Sequence, residues 1–371
     1  MTTAGPVGTS CDDRPVLDAQ TQIVAQRCAA QLLAGPPAAS PAEVVRRLLA
    51  VQGQDPRGCR LAVRARSAGL TAADVDRALT ADRSLLITWL NRGTLHLVDA
   101  GDYWWLQQLT TPPVTVAVTR RLAQLGVGAD DTDKAVGVID AALATQGPMT
   151  RAQLADRLTA AGIATQGQIL VHLLAAASVR GLVVRGPVIG RQHAFVRVSD
   201  WLGPPPARFA PGRIDRDIAL AELARRYLVG HGPASDRDLA KWAGLPLRDV
   251  RRGLSAIAGE LRDRDDGLAE LVPGHPAAGQ DRAAELPPPR LLGPFDPLLH
   301  GWADREPVLG TATGIVTVNG IFRPFALAGG RAVAIWTMPA GQVVLDPFGP
   351  LPEPVAAALR ADAQDVVRFL G

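Results

Sequence analysis

Cysteine, lysine and long apolar runs are scarce in this sequence, and each scarcity removes a class of protein. Cys11, Cys28 and Cys59 are odd in number and are not spaced as metal ligands. That excludes a disulfide framework and a thiolate metal site, and it reads as the reduced thiols of a cytoplasmic chain. Their isolation also argues against a thiol nucleophile. The longest apolar stretches, such as residues 169–177, are interrupted by His172 and stop well short of a membrane span. No basic segment followed by an apolar run opens the chain, so no signal peptide is expected. Metal clusters, a P-loop and a dinucleotide fingerprint are missing too, and neither metal nor cofactor is expected.

Of 39 basic residues, only Lys134 and Lys241 are Lys. Arg forks onto phosphate better than Lys does, although a G+C-rich genome gives the same bias. The net charge of +3 is weak evidence for a polyanion partner. With 371 residues, 47% hydrophobic and 20% charged, the chain is long enough for two or three globular units with a sizeable core.

One pattern occurs twice. Gly147-Pro148-Met149-Thr150-Arg151-Ala152-Gln153 is echoed by Gly232-Pro233-Ala234-Ser235-Asp236-Arg237-Asp238. In each copy a Thr or Ser is followed three residues on by Gln or Asp, a capping box that starts a helix. Amphipathic helices are expected before each copy, over 132–145 and 213–230. Others are expected after, from Thr165 to Arg180 with Thr165 as cap, and from Leu247 to Leu261. Residues 182–185 and 194–198 read as a hairpin. Three helices and a hairpin are the parts of a winged helix, which can enter a DNA groove but also serves as a protein-interaction module.

The N-terminal section fits the same plan. Ser40-Pro41-Ala42-Glu43 opens a helix to about Val51, Asp55 caps a second from Pro56 to Ser67, and Thr71 opens a third. Leu85–Leu90 and Thr94–Val98 form a hairpin across Asn91-Arg92-Gly93. Trp104 and Trp105 fall in a helix capped by Asp99, as core residues. Segments 204–206 and 275–289 are linkers by composition. Beyond them come short β-rich runs, 315–318, 321–327, 332–336 and 343–345, broken by Asn319-Gly320 and Gly329-Gly330, then a helix from Pro352 to Leu370. The expected fold is α+β: three tandem winged-helix units (15–110, 130–202, 210–273) and a small C-terminal antiparallel β-barrel or sheet (290–371).

The chemistry is concentrated in Gln52-Gly53-Gln54-Asp55-Pro56-Arg57, at the joint between two short helices, and in Arg92-Gly93-Thr94-Leu95-His96. These segments resemble the winged-helix DNA glycosylases of the AlkZ type, as do Leu292–Leu299 and Asn319–Pro324 in the part that forms the family's barrel. The resemblance implies tandem winged helices around a C-shaped DNA cleft and excision of bulky N7- or N3-alkylated purines. Some members unhook interstrand crosslinks or protect producers of DNA-alkylating antibiotics. The family's catalytic Gln–apolar–Gln motif falls on Gln52 and Gln54, with Gly53 as an unusual middle residue; the related YcaQ-like branch has Asp at the second position.

Two amides suffice for such a substrate. A purine alkylated at N7 or N3 already carries positive charge and leaves without protonation, so no general acid is needed. An amide carbonyl can hold the attacking water and face the oxocarbenium-like sugar. Asp55, Thr94 and His96 are candidates for supporting or lesion contacts, with structural roles as the alternative: Asp55 as a helix cap, His96 as a strand residue. Asn319-Gly320 is a hairpin turn that could probe DNA. Candidate DNA contacts are Arg57, Arg60, Arg64, Arg92 and Arg323. The expectation is a monomeric, monofunctional, cytoplasmic DNA glycosylase acting on double-stranded DNA, with no membrane partner. The rivals are a winged-helix transcriptional regulator without catalysis and a protein that sequesters a reactive natural product.

Overall fold

The structure, a computed structural model, describes residues 17–210, 213–276 and 285–371. Cys11 and the middle of the 275–289 linker lie outside the described residues. The described residues form fourteen α-helices and two antiparallel sheets.

Local capping sets most helix starts. Helices α1 (Ala19–Ala30), α2 (Pro41–Leu48), α3 (Pro56–Arg64) and α4 (Ala72–Thr80) open the chain. Ser40 Oγ accepts from Glu43 N (3.2 Å), and Asp55 Oδ1 accepts from Gly58 N (2.6 Å). The Asp74 carboxylate takes both the N–H and the hydroxyl of Thr71. Helix α2 stops three residues before the expected Val51, because Leu49 turns into positive φ (64°). Between α2 and α3 runs a two-residue strand, β1 (Val51–Gln52), so the joint holding the glutamines is a sheet edge.

The hairpin of β2 (Leu85–Leu90) and β3 (Thr94–Asp99) follows, then α5 (Tyr103–Gln124), α6 (Ala129–Gln146), α7 (Arg151–Ala160) and α8 (Ile169–Val179). Two expected caps are corrected. Asp102 stands at the N-cap of α5, while Asp99 Oδ1 accepts from Gly101 N. Gln168 stands at that of α8, while the Thr165 hydroxyl meets Thr159. Trp105 is core, and Trp104 packs against the core partly buried. Strands β4 (Val183–Ile189) and β5 (Gln192–Arg197) are the second hairpin.

The two hairpins do not stay apart. Ile87 of β2 pairs with Arg185 of β4, and the sheet order is β1-β3-β2-β4-β5. Merging removes two hydrogen-bonding edges that isolated hairpins would expose. After α9 (Val198–Leu202) come α10 (Arg216–His231), α11 (Asp236–Ala243) and α12 (Leu247–Ala256). Here the chain returns through isolated bridges, Leu261 to Leu271 and Ala234 to Ala269, in place of a regular hairpin.

The C-terminal region is a four-stranded sheet of β6 (Arg290–Leu292), β7 (Phe325–Ala328), β8 (Arg331–Thr337) and β9 (Val344–Pro347), in that order. It also carries α13 (Glu306–Leu309) and α14 (Glu353–Leu370). Residues 315–323 form a smaller hairpin in which Thr317 N donates to Ile321 O and Arg323 N to Ile315 O. Gly320 takes φ 72° at its turn, a conformation open to Gly at little cost.

Close backbone contact docks this region onto α3. A Cβ at Gly58 would lie 2.4 Å from Pro294 O, and one at Gly293 would lie 2.8 Å from Leu61 Cβ. Beside that contact, Arg66 grips Asp296 with both Nη atoms (2.9 and 2.8 Å), and both residues are fully buried. A bidentate buried pair of this kind fixes register, because losing either partner strands a charge in the core.

Candidate active site

The glutamines sit where the first sheet faces the C-terminal segment. Gln52 pairs with His96 across β1 and β3, and Gly53 N continues the contact by donating to Leu95 O at 2.7 Å. A Cβ at Gly53 would lie 3.3 Å from both Ile87 Cγ2 and Leu97 N, so a larger middle residue requires a slight shift of β3. Gln52 Nε2 donates to Gln54 Oε1 at 2.8 Å, which locks the two amides to each other. Gln52 is 5% exposed, and its Oε1 has no hydrogen-bond partner among the described residues. A buried acceptor without a partner costs stability, and such an atom is commonly retained for function.

The two amides line a cleft of about 300 Å³ with Arg92, Thr94, Lys241, Phe295, His300, Trp302, Arg305, Gly320 and Phe322. No carboxylate is among these lining residues. Another cavity, about 460 Å³ beside Trp105 and Ile218, is larger but contains none of the motif residues. The His300 ring lies 4.2 Å from that of Phe322 and is nearly parallel to that of Phe295 (6.1 Å, 13°). Phe295 reaches this position through a positive φ of 57°, strained for a non-glycine residue and imposed next to the buried Asp296.

Cations crowd the cleft. Burial, with Arg92 and Arg305 nearby, pushes the His300 imidazole down to about 3. His96 is likewise held at about 3, by burial and then Arg92, and its Nδ1 faces Thr94 O at 3.0 Å. Both rings are therefore neutral at ordinary pH. Lys241 is lowered by burial and then by Arg305 and Arg92. The cleft thus offers amide carbonyls, neutral rings and three cations, with no group able to donate a proton as a carboxylic acid.

The profile of the family described as DNA glycosylase AlkZ-like matches residues 45–369. This chain belongs to the AlkZ-like DNA glycosylases. It is similar to an interstrand DNA cross-link repair glycosylase of Streptomyces sahachiroi, 26% identical over 361 residues, covering 94% of this chain and 96% of the relative. Among solved structures it resembles the Streptomyces sahachiroi DNA glycosylase AlkZ, with a TM-score of 0.73 and 25% identity, covering 95% of this chain and 97% of that one. The protein is accordingly an enzyme, a DNA glycosylase, and the non-catalytic regulator is not favoured.

Of the residues singled out in the sequence of this AlkZ-like glycosylase, Gln52, Gln54, Arg92 and Thr94 line the cleft. His96 stands opposite Gln52 in register, with its side chain on the same face. Asp55 is the N-cap of α3 and is not among the lining residues. Arg57 is exposed on α3 over the Trp336 ring, and Arg323 is exposed at the end of the 315–323 hairpin.

Arg64 is a correction. It is 3% exposed, and its guanidinium donates to Asp362, Asp365 and Leu291 O, tying α3 to α14. Arg60 is corrected as well: it is bound by Asp76 and His193, with its side chain 13% exposed. On an amphipathic helix both Arg residues read as solvated; Asp76 of the neighbouring α4 with His193 decides otherwise for Arg60, and the distant α14 for Arg64.

Sequence reasoning missed Lys241, Phe295, His300, Trp302, Arg305 and Phe322. Phe295 and Phe322 fall inside segments that carry the family resemblance, which was the available signal. Lys241 and Arg305 carried none.

Proposed function

We propose that this enzyme hydrolyses the N-glycosidic bond of purines alkylated at N7 or N3, bulky adducts and interstrand crosslinks included. The observation that carries the reading is the unpartnered, buried Gln52 carbonyl in a cleft without a carboxylate. Without an acid, the base must leave by virtue of its own positive charge. The Gln52 and Gln54 carbonyls orient the water and face the cationic sugar. His96 and Thr94 brace the Gln pair from β3. The name of the Streptomyces sahachiroi relative, an interstrand DNA cross-link repair glycosylase, supports extension to crosslinks.

DNA is held by three winged-helix units (15–110, 130–202 and 210–273), with Arg57, Arg92 and Arg323 reaching phosphate and the enzyme acting as a monomer. The exposed Val318 and Ile321, at the tip of the hairpin whose Gly320 and Phe322 line the cleft, suit insertion beside the lesion. The product is an abasic site in an intact strand, because the Gln motif carries no amine and the attacking group is a water held by the glutamines.

The test is a panel of matched duplexes carrying 7-alkylguanine, 3-alkyladenine, an N7–N7 crosslink, uracil, 8-oxoguanine or O6-alkylguanine, scored for base release before and after alkaline cleavage. Release confined to the cationic lesions is expected. Efficient release of a neutral base would place an acid in the site and overturn the reading.

A further inference from the structure

Arg92, Lys241 and Arg305 come from three separate parts of the chain, and all line the cleft that holds Gln52 and Gln54. None is within ion-pair distance of a carboxylate among the described residues. Each is instead oriented by main-chain carbonyls. Arg92 Nη1 donates to Trp242 O (2.7 Å) and Lys241 O (2.9 Å), Lys241 Nζ to Ala303 O, and Arg305 Nε to Leu299 O (2.6 Å). The arrangement is built: Arg92 takes φ 55°, and Gly244, at φ 68°, brings the end of α11 so close that a Cβ there would lie 2.9 Å from Arg92 N.

Three cations around one small cleft repel one another, and each is lowered in basicity chiefly by burial. The reaction in this cleft makes the difficulty worse. As the glycosidic bond breaks, its electron pair goes to the purine, which leaves neutral, and the positive charge passes to the sugar, so cations that face that sugar raise the barrier. The arrangement assists catalysis only when an anion lies among the three. The anion that the substrate itself brings is a backbone phosphate, and carbonyl-anchored Arg and Lys donors are suited to it.

We infer that Arg92, Lys241 and Arg305 form a clamp for one phosphate flanking the lesion, which fixes the scissile nucleotide against the glutamine pair. This rests on the glycosylase reading above. The three are positioning residues: they hold the phosphate and do not touch the bond that breaks. Their effect falls on turnover as well as on affinity, unlike that of a general surface contact.

The experiment replaces one phosphate at a time by an uncharged methylphosphonate, at the positions flanking either a 7-methylguanine or a tetrahydrofuran abasic analogue. Binding to the abasic duplexes is read by anisotropy, and base release from the lesion duplexes by single turnover. At one flanking position the neutral linkage should weaken wild-type binding and slow release, each by about tenfold or more, the scale of a lost charge-assisted hydrogen bond. In a Lys241→Met, Arg305→Gln double variant the same linkage should make a much smaller difference, that due to Arg92 alone, and a Lys241→Arg single variant should keep the wild-type discrimination.

Wild-type indifference to every flanking linkage, or full discrimination retained by the double variant, overturns the clamp. So does a borohydride-trapped protein–DNA adduct that Lys241→Met abolishes, since it would put that amine on the sugar. If wild-type enzyme releases no 7-methylguanine, the glycosylase reading for that lesion fails, while the binding measurements still decide the clamp.

Discussion

Gln52 and Gln54 do not titrate near neutrality, and the imidazoles nearest them, His96 and His300, are held at about 3. Two predictions follow from that chemistry at the scale of the residue. Gln52→Ala and Gln54→Ala should each slow single-turnover release of 7-methylguanine by about ten- to a thousand-fold, the range for losing one oriented donor or acceptor in a preorganised site. Gln52→Ala removes both the unpartnered carbonyl and the amide that fixes Gln54, so it should be the more damaging. Wild-type rates in both variants would remove the motif from the mechanism. The second prediction concerns pH: the single-turnover rate on that lesion should be flat between about pH 6 and 8, since the two imidazoles beside the glutamines are neutral throughout that range. A sigmoidal or bell-shaped profile would reveal an acid or base that the cleft, as built, lacks.

At the scale of the element, helix α3 is the support of the site. Its N-cap follows directly on Gln54, and its far end is clamped by Arg64 to α14 and by Arg66 to Asp296. Asp362 accepts from both Nη atoms of Arg64 (3.0 and 2.9 Å) and from Leu291 N (2.6 Å). Asp362→Ala should therefore cost roughly 1–3 kcal/mol of unfolding free energy, since two charge-assisted hydrogen bonds are lost while Arg64 keeps Asp365 and the Leu291 carbonyl. Release of 7-methylguanine per folded molecule should persist below the melting temperature, because Asp362 lies outside the cleft. Urea denaturation beside a rate measurement separates the two. Gly58→Ala acts differently: its Cβ would meet the Pro294 carbonyl at 2.4 Å, so backbone must move at the joint between the Gln motif and the segment carrying Phe295 and His300. Both stability and turnover should fall, and a variant with wild-type values for both would show that this joint tolerates slack.

At the scale of the whole molecule, buried histidines govern acid sensitivity: His96, His231 and His300 are held at about 3 and His193 at about 4. His96 and His231 are 3% and 1% exposed, and burial pushes both down to about 3. An unfolded His takes up its proton near pH ~6.5, so between there and the folded value the unfolded state binds more protons. Stability due to these residues is fully present above that pH and is lost as pH falls through the window toward about 3. Each contributes a slope of about 1.4 kcal/mol per pH unit where the difference is complete. Urea midpoints should drop between about pH 7 and 5, before most carboxylates titrate. His231→Gln should make that fall shallower by the share of one histidine, and an unchanged fall would assign it to other groups.

What the sequence by itself determined is what short range controls. Ser40, Asp55, Thr71, Thr150 and Ser235 start their helices because the cap bonds span only three residues. The β2–β3 hairpin, the β4–β5 hairpin and the turn at Asn319-Gly320 follow from local turn chemistry. Gln52 and Gln54 stood out as a candidate site because the Gln–apolar–Gln motif that carries the family resemblance spans only residues 52–54. Tertiary structure decided the rest. Whether an Arg faces DNA or a carboxylate depended on chain some 300 residues away: Arg64 meets Asp362, while Arg92 remains at the cleft. The opposing wall, with Phe295, His300 and Arg305, was illegible because nothing local requires a ring or a cation there. The buried Arg66–Asp296 pair and the bare backbone at Gly58 bring it into place. The merging of two hairpins into one sheet likewise came from a long-range demand, that exposed strand edges find partners.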